Sequence, residues 1–356
     1  MSYCWKCGSK LEEDAKYCHV CGASIGGASA GAYVPQRTVR RRGWSPLHTL
    51  AVVLVGILIV GTIVSVFVFL PVQQVNFGRT ELVATEPGVN AVWLNLTADV
   101  SSFNVTFADL NGGAMTMNVS ATGGVGAFAP SDPLNVTVSH SRSGHTMQVD
   151  ARIERNGLWW PLFGGLNVVC DVQVERSLNV TLAVKTSVGS VVLVAQSGVV
   201  FDSLDLETAT GGVEATLERG VVLNGPVVVQ STTGSSSLSW DRVKVTRNVS
   251  VDVKTTTGGV NVDINQDSSM HGNVSLNGET VTGGVDFSIT IQDDVGATVN
   301  STTTVGGVST NLTRFSGNTS PLHSENYPAS SNFIVTLKTV TGGINVNADY
   351  EPGEHM

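Results

Sequence analysis

Apolar and polar residues alternate along most of the second half of the chain. Residues 249–264 read VSVDVKTTTGGVNVDI, with Val249, Val251 and Val253 on one face before a Gly pair and Val260, Val262 and Ile264 on one face after it. A period of two predicts half-buried strands, because successive side chains of a strand point to opposite faces. The corner phrase recurs as Thr210-Gly-Gly-Val213, Thr257-Gly-Gly-Val260, Thr282-Gly-Gly-Val285, Val305-Gly-Gly-Val308 and Thr341-Gly-Gly-Ile344. Degenerate copies stand at Val188-Gly-Ser-Val191 and Thr233-Gly-Ser-Ser236. The first glycines, 189, 211, 234, 258, 283, 306 and 342, are spaced by 22–25 residues, except for a last step of 36 that contains Pro321 and Pro328 and reads as a loop insertion.

Such a period predicts stacked repeats. One strand pair alone buries little. Stacking each coil on the next pairs its backbone groups and builds a continuous Val ladder inside. The Gly pair is expected at a sharp corner that only Gly tolerates, and the Thr before it in a stacked hydroxyl ladder. The predicted fold class is mainly β, a β-solenoid (β-helix) over 181–350. Residues 75–180 are less regular. Phe103–Phe107, Met115–Val119, Leu134–Val138 and Met147–Ile153 alternate like strands, as irregular first coils or as a separate small β-sandwich, with the first reading preferred.

A different pattern runs from Thr49 to Leu70, TLAVVLVGILIVGTIVSVFVFL, apolar on every face and without charge. A helix of this length spans about 33 Å, enough for a hydrocarbon core of roughly 30 Å. Arg37, Arg40, Arg41 and Arg42 precede it, Trp44 stands at the expected interface, and Pro71–Phe77 is uncharged. The positive-inside rule then places the N-terminus in the cytoplasm and residues 72–356 outside, in a single-pass cell-membrane protein with an uncleaved signal anchor. The chain is thus expected to divide into a zinc ribbon (1–24), a flexible basic linker (25–45), a transmembrane helix (46–72), a membrane-proximal β region (73–180), the solenoid (181–350) and a tail (351–356).

The ribbon is read from four cysteines. Cys4-Trp-Lys-Cys7-Gly8 and Cys18-His-Val-Cys21-Gly22 are two CxxC knuckles, and each can give two thiolates to one tetrahedral ion. A Gly after each pair lets the chain curl back with backbone N–H groups aimed at sulfur. Leu11 and Tyr17 are candidates for a minimal core, and metal must supply the folding energy of so short a segment. Zn²⁺ is preferred to iron. His19 reads as a knuckle surface residue, since four thiolates complete the shell. The run Tyr3–Gly22, with Leu11, Asp14, Ala15 and Tyr17 between the knuckles, resembles the short zinc-ribbon module at the N-termini of many archaeal and bacterial membrane proteins. Modules of this kind bind protein or nucleic acid, or serve as a folded cap.

Composition fits this division. Charged residues are 14%, aromatics 6%, and Gly number 39, a mix suited to strands and tight turns and unlike that of disordered chains. Residues 1–45 carry seven Lys or Arg and three acids, and the part after the apolar run carries 13 bases and 26 acids, a net charge of −13. No stretch of the large part is basic enough to make nucleic acid its partner. Of five cysteines only Cys170 lies beyond Cys21, so no internal disulfide framework exists there and stability rests on burial and backbone pairing. Asn-X-Ser/Thr occurs ten times, at Asn95, Asn104, Asn118, Asn135, Asn179, Asn248, Asn273, Asn300, Asn311 and Asn318, all beyond the apolar run. These are candidate glycan acceptors. Asn-Val-Thr also reads simply as strand, and some Asn are open to an internal ladder.

The repeated Gly-centred phrase resembles the adhesin-type β-strand-repeat family, described also as single-stranded β-helix or toast-rack proteins. The resemblance covers roughly 180–349, with an extension back to Thr122-Gly-Gly-Val125 open, and it implies a β-solenoid exposed at the cell surface. Sequon density, missing disulfides and the ribbon together point to an archaeal cell. No enzyme site emerges. His140 and His145 have no acidic or Cys neighbour, and Asp293-Asp294 reads as a solvated turn. Trp159-Trp160-Pro-Leu-Phe163, the one aromatic cluster, can stack on sugar, touch the membrane or plug an irregular coil, the last being preferred. The expected function is a non-enzymatic, membrane-anchored, adhesin-like or structural surface protein. Its partners would be the bilayer, further copies of itself, cell-surface glycans or proteins, and a cytoplasmic protein at the ribbon. The alternative is a transmembrane envelope sensor or assembly factor that signals through the ribbon.

Overall fold

The computed structural model describes residues 2–25, 46–68, 73–125, 132–156, 165–267, 270–317 and 320–352, with helix side chains described from Leu50 to Thr62. They divide into two units, Met1–Ser65 and Val66–Met356. The aromatic cluster at 159–163, Asn318 and residues 26–45 of the basic linker lie outside the described residues, while Ile25, expected as the first linker residue, packs against the ribbon core.

The first unit opens with a two-stranded antiparallel sheet, Ser2–Tyr3 against Lys10–Leu11. Its core is Cys4, Leu11, Cys18 and Ala23, with Ile25 packed against it. Leu11 fulfils its expected role. Tyr17 does not, being 67% exposed. Ala23 and Ile25, which follow the second knuckle, complete that small core instead.

An α-helix runs from Pro46 to Val68. Its described side chains, Leu50–Thr62, are all exposed, and at about 1.5 Å per residue they cover roughly 20 Å. Among the described residues no helix is long and apolar enough to cross a membrane. The helix expected in this region is present, and its crossing of a membrane is not shown by it.

The second unit is built from two large sheets, one of 14 strands and one of 11. The chain alternates between them at each corner. Asn179–Val188 lies in the first sheet and Val191–Ala195 in the second, followed by Val200–Thr210 and Val213–Leu217, and so on. Each strand pairs in parallel with its equivalent one coil away. Thr186, Thr208, Ser231, Thr255 and Thr280 stand in one column of the first sheet, and Val191, Val213, Ser236, Val260 and Val285 in one column of the second. The inward positions form one continuous core that extends from Val83 to Ala348. Ser236 interrupts the Val column and is fully buried, its hydroxyl satisfied by the Lys254 carbonyl at 2.7 Å. Among the described residues the core also holds a hydrogen-bonded side-chain pair, Trp240 Nε1 donating to Gln266 Oε1 at 2.6 Å.

The corners show why Gly is required. Gly189, Gly211, Gly234, Gly258, Gly283, Gly306 and Gly342 have φ between +139° and +150°, a region that L side chains rarely adopt. A Cβ on Gly258 would lie 2.0 Å from the Gly234 carbonyl oxygen of the coil before, and one on Gly283 would lie 1.9 Å from that of Gly258. The second Gly is freer. A Cβ on Gly259 meets nothing closer than 3.9 Å, which explains why Ser190 and Ser235 fill that place in the degenerate copies.

Stacking order departs from chain order at both ends. The final strands, Ser331–Thr341 and Ile344–Glu351, pair with Val274–Thr282 and Val285–Gln292 on one side. On their other side they pair with Val295–Val305 and Val308–Thr313. The Gly342 coil is therefore inserted between the Gly283 and Gly306 coils. The 36-residue step, expected as a loop insertion, also carries the short strands Phe315–Ser316 and Leu322–Ser324, the second of which caps the Gly306 coil antiparallel. At the other end, Ala91–Val100 and Ser102–Ala108 form a coil with a Ser101-Ser102 corner, held between Thr146–Arg155 with Leu166–Glu175 and the Gly189 coil. Gln73–Ala84, Gly113–Val125 and Leu134–Ser143 add antiparallel strands beyond it. The strands of 73–180 thus share both sheets with those of 181–350, and Asn179–Val188 crosses the boundary expected at 180. Thr122-Gly-Gly-Val125 lies in an antiparallel strand and is not a corner of the stack.

Candidate metal centre and surface sites

The two knuckles bring Cys4, Cys7, Cys18 and Cys21 together, with every pair of sulfurs within 4.8 Å. Cys4 Sγ stands 3.6 Å from Cys21 Sγ, and Cys7 Sγ 3.6 Å from Cys18 Sγ. Four sulfurs bound at about 2.3 Å to one tetrahedral ion stand about 3.8 Å apart, so the donor set fits Zn²⁺. Each knuckle closes in the same way. The Gly8 amide donates to the Cys4 carbonyl and the Gly22 amide to the Cys18 carbonyl, both at 2.9 Å. Gly8 and Gly22 have φ of +73° and +70°, and a Cβ on either meets nothing within 4 Å. Glycine is therefore chosen for backbone energy and not for space.

Thiols this close cannot all ionise without a cation between them. The Ser9 hydroxyl, 3.2 Å from Cys18 Sγ, and the Val20 amide pull the Cys18 thiol down to about 5. Cys7 is also lowered, mainly by Ser9. Cys21 is pulled down by the Ala23 amide, yet Cys7, burial, Cys4 and Cys18 together push it up to about 12. A divalent ion replaces this shared proton by its own charge. Ser9 was not legible from the cysteine spacing. His19 is not among the grouped ligands, as expected.

Cys170 is fully buried and unpaired. Burial, with the Asp171 charge second, pushes its thiol far above the ordinary range.

None of the nine described candidate acceptor asparagines is buried. Asn118, Asn135, Asn179, Asn248 and Asn311 are exposed, and Asn95, Asn104, Asn273 and Asn300 half-buried. The internal Asn ladder left open by the sequence does not form from them. Several pair on the outer faces instead. The Nδ2 of Asn95 donates to Asp150 at 3.0 Å, that of Asn104 to Asp171 at 2.8 Å, and that of Asn311 to Asn347 at 2.9 Å. No side-chain hydrogen bond is described for Asn135 or Asn179.

The outer face of the first sheet carries a shallow groove of about 700 Å³ lined by Asn95, Thr97, Asp150, Lys185 and Glu207 among others. Lys185 bridges Asp205 at 3.2 Å and Glu207 at 3.0 Å. The Glu207 contact is the main cause of its raised pKa, while burial raises that of Asp205. This cluster is assembled from neighbouring coils, so only register makes it visible. At the end of the Leu166–Glu175 strand, Glu175 accepts from the Leu110 amide at 2.7 Å, the Ser177 amide at 3.1 Å and the Ser177 hydroxyl at 2.8 Å. Burial opposes ionisation there, but these donors and Arg176 outweigh it and hold the carboxylate below its usual range. His140 and His145 are exposed, and the His145 ring bonds the Gly88 carbonyl at 2.8 Å. Asp293 and Asp294 are exposed in a turn.

Compared with known proteins, residues 3–25 match the zinc-ribbon domain family. No curated protein sequence matches the chain. Among solved structures the chain is similar to a candidate cell adhesion protein from Clostridium sporogenes, at 14% identity and a TM-score of 0.34, over 76% of this chain and 100% of that one. It is also similar to a candidate adhesin from Bacteroides fragilis, at 11% identity and a TM-score of 0.31, over 77% of this chain and 98% of that one. A candidate adhesin from Parabacteroides merdae follows at 10% identity and a TM-score of 0.24, over 76% and 95%. Nothing about function follows from likenesses of this size.

Proposed function

We propose that the chain is a membrane-anchored surface protein of adhesive or structural role, with its stacked β unit outside the cell and its zinc ribbon in the cytoplasm. The observation that carries this reading is the continuous in-register stack, which offers long outer faces and, among the described residues, no grouped nucleophile, base and acid. The stack is read as a β-solenoid that needs no disulfide. The helix over Pro46–Val68 is read as the single span, uncharged from 49 to 70 and flanked by four arginines on one side only. Its fully exposed described side chains support this, since contiguous apolar surface of that kind requires lipid or a partner. The candidate asparagines support an exterior location because those described all reach the surface. Several of them are read as carrying glycans, on an archaeal-type cell.

Membrane extraction tests the anchor. The full chain should remain with membranes through an alkaline carbonate wash, and Ile59→Arg with Val60→Arg should release it. A wild-type chain recovered in the soluble fraction would refute the anchor. The metal centre favours a second reading, a sensor or assembly factor, because a purely adhesive protein has no use for a folded metal-bound head at its other end. Capture of one cytoplasmic protein by the wild type and not by Cys18→Ser would favour that reading.

A further inference from the structure

One corner of the stack differs from the rest of the surface. Each coil presents four consecutive positions there, the two residues before the first Gly, that Gly, and the residue after it. Over the seven coils from Gly189 to Gly306 these positions are 187–190, 209–212, 232–235, 256–259, 281–284, 340–343 and 304–307, and none is Lys, Arg, Asp or Glu. The register stacks them in columns. Val188, Thr210, Thr233, Thr257, Thr282, Thr341 and Val305 are successive partners.

The two residues before Gly are exposed in every coil. Val188, Val281, Val305 and Val340 are 46%, 44%, 61% and 47% exposed. They make up most of the exposed large apolar side chains described beyond residue 72, the others being Leu82, Trp93 and Ile334. The opposite corner is charged, with Glu218, Arg219, Asp293 and Asp294 exposed. Both outer faces are charged as well, with Lys185, Glu207, Lys254, Glu279 and Lys338 in one column region of the first sheet and Glu214, Asp263 and Asp286 on the second. None of the ten candidate acceptor asparagines falls on the uncharged corner.

We infer that this uncharged ladder is a contact surface for a second copy of the chain. The inference rests on the surface-protein reading above only for where the contact is made. Three features select a second copy. The part beyond the apolar run carries a net charge of −13, so like molecules repel overall, and the ladder, which carries no charge, adds nothing to that repulsion. The ladder is also self-complementary. Two columns bearing side chains stand beside two that are bare or nearly so, and a twofold axis parallel to the ladder sets the studded columns of one copy against the bare columns of the other. Finally, the contact is limited in size. Seven coils at about 4.8 Å and four residues at about 3.3 Å give roughly 400 Å² per partner, half of the roughly 800 Å² in a standard stable interface. Association is therefore weak in dilute solution and populated where copies share one membrane and their effective concentration is high.

Crosslinking tests this. Thr257→Cys puts a thiol on the ladder, and Ser239→Cys puts one on the exposed outer face of the second sheet. The full-length variants, in liposomes and on intact cells, are treated with a short membrane-impermeant bis-maleimide, and separate samples of intact cells with an impermeant mono-maleimide that reports labelling. Dimer through Thr257→Cys, none through Ser239→Cys, and loss of the dimer on adding Val281→Lys is the result expected. Resistance of Cys170 to the reagent confirms that each variant is folded. Equal crosslinking at both positions, no dimer at Thr257→Cys, or dimer that survives Val281→Lys would overturn the inference. On cells, a product of mass other than a multiple of this chain would assign the ladder to a different occupant and equally overturn it. Labelling of Thr257→Cys on cells without dimer in liposomes leaves the surface reading intact. Dimer in liposomes without labelling on cells leaves the inference standing and removes the surface reading.

Discussion

Thr208 Oγ1 donates to the carbonyl of Gly189 at 2.9 Å, and a Cβ on Gly211 would lie 2.1 Å from the same oxygen. One carbonyl therefore sets two requirements on the next coil, a hydroxyl at one place and no side chain three residues later. The relationship repeats. Ser231, Thr255, Thr280 and Thr339 donate to the carbonyls of Gly211, Gly234, Gly258 and Gly283 at 2.8–3.0 Å, and Thr303 to that of Gly342 at 3.1 Å. Each coil is stapled to its neighbour at the point where the chain changes sheets.

The two glycines of a corner should respond unequally to alanine. Gly258→Ala combines a left-handed φ with a backbone clash, and its cost should reach at least about 3 kcal/mol. Gly259→Ala meets only an ordinary contact with the Gly284 carbonyl oxygen at 3.9 Å and should stay within about 1 kcal/mol of wild type. Denaturant titration of the purified protein distinguishes them.

The staples make a similar contrast between neighbouring threonines. Thr280→Val removes a buried donor from the Gly258 carbonyl and should destabilise by about 1–2 kcal/mol. Thr282→Val, two residues on and exposed, should change stability by less than about 0.5 kcal/mol. Equal effects in thermal melts would show that the hydroxyl contact contributes nothing.

Metal removal should act on the ribbon alone. A chelator should unfold residues 2–25, seen as fast amide exchange of the knuckle glycines, because the segment has no other source of folding energy. The melting of the stacked unit should not move, since its core contains no ribbon residue. Cys18→Ser should lower bound zinc from about one ion per chain to a trace in metal analysis.

Glu175 predicts an acid limb. Its folded pKa lies below the usual carboxylate value, so its contribution is fully present above the unfolded pKa of about 4.3 and is lost as pH falls through the lower folded value. Glu175→Gln should be less stable than wild type at neutral pH and should close that gap as the pH is lowered through this window. A gap that stays constant from neutral pH to pH 3 would contradict it.

Much of this architecture was legible because its requirements are local. Alternation marked the strands, the Gly pairs marked the corners, and the two CxxC pairs marked the metal centre. What escaped was set by relations between coils. The Thr expected to form the hydroxyl ladder, next to the Gly, is exposed, and the residue two positions earlier makes the bond. Insertion of the Gly342 coil between the Gly283 and Gly306 coils leaves no periodic trace, because each coil offers the same Thr, Gly and Val columns to any neighbour. The Ser101-Ser102 corner lacked its signal because Ser101 does not take a left-handed φ and so needs no Gly. Conversely, Thr122-Gly-Gly-Val125 carries the phrase inside an antiparallel strand, where position 123 is crowded by the Gly165 carbonyl.

Two-sided labelling tests the surface reading most directly. Ser239→Cys in the stacked unit and Ser29→Cys in the linker, each in the full chain on intact cells, are exposed to a membrane-impermeant maleimide before and after permeabilisation. Labelling of Ser239→Cys before permeabilisation and of Ser29→Cys only after it is the predicted result. Protection of Ser239→Cys until the membrane is opened, or labelling of both positions from outside, would contradict a single-pass surface protein with its ribbon in the cytoplasm.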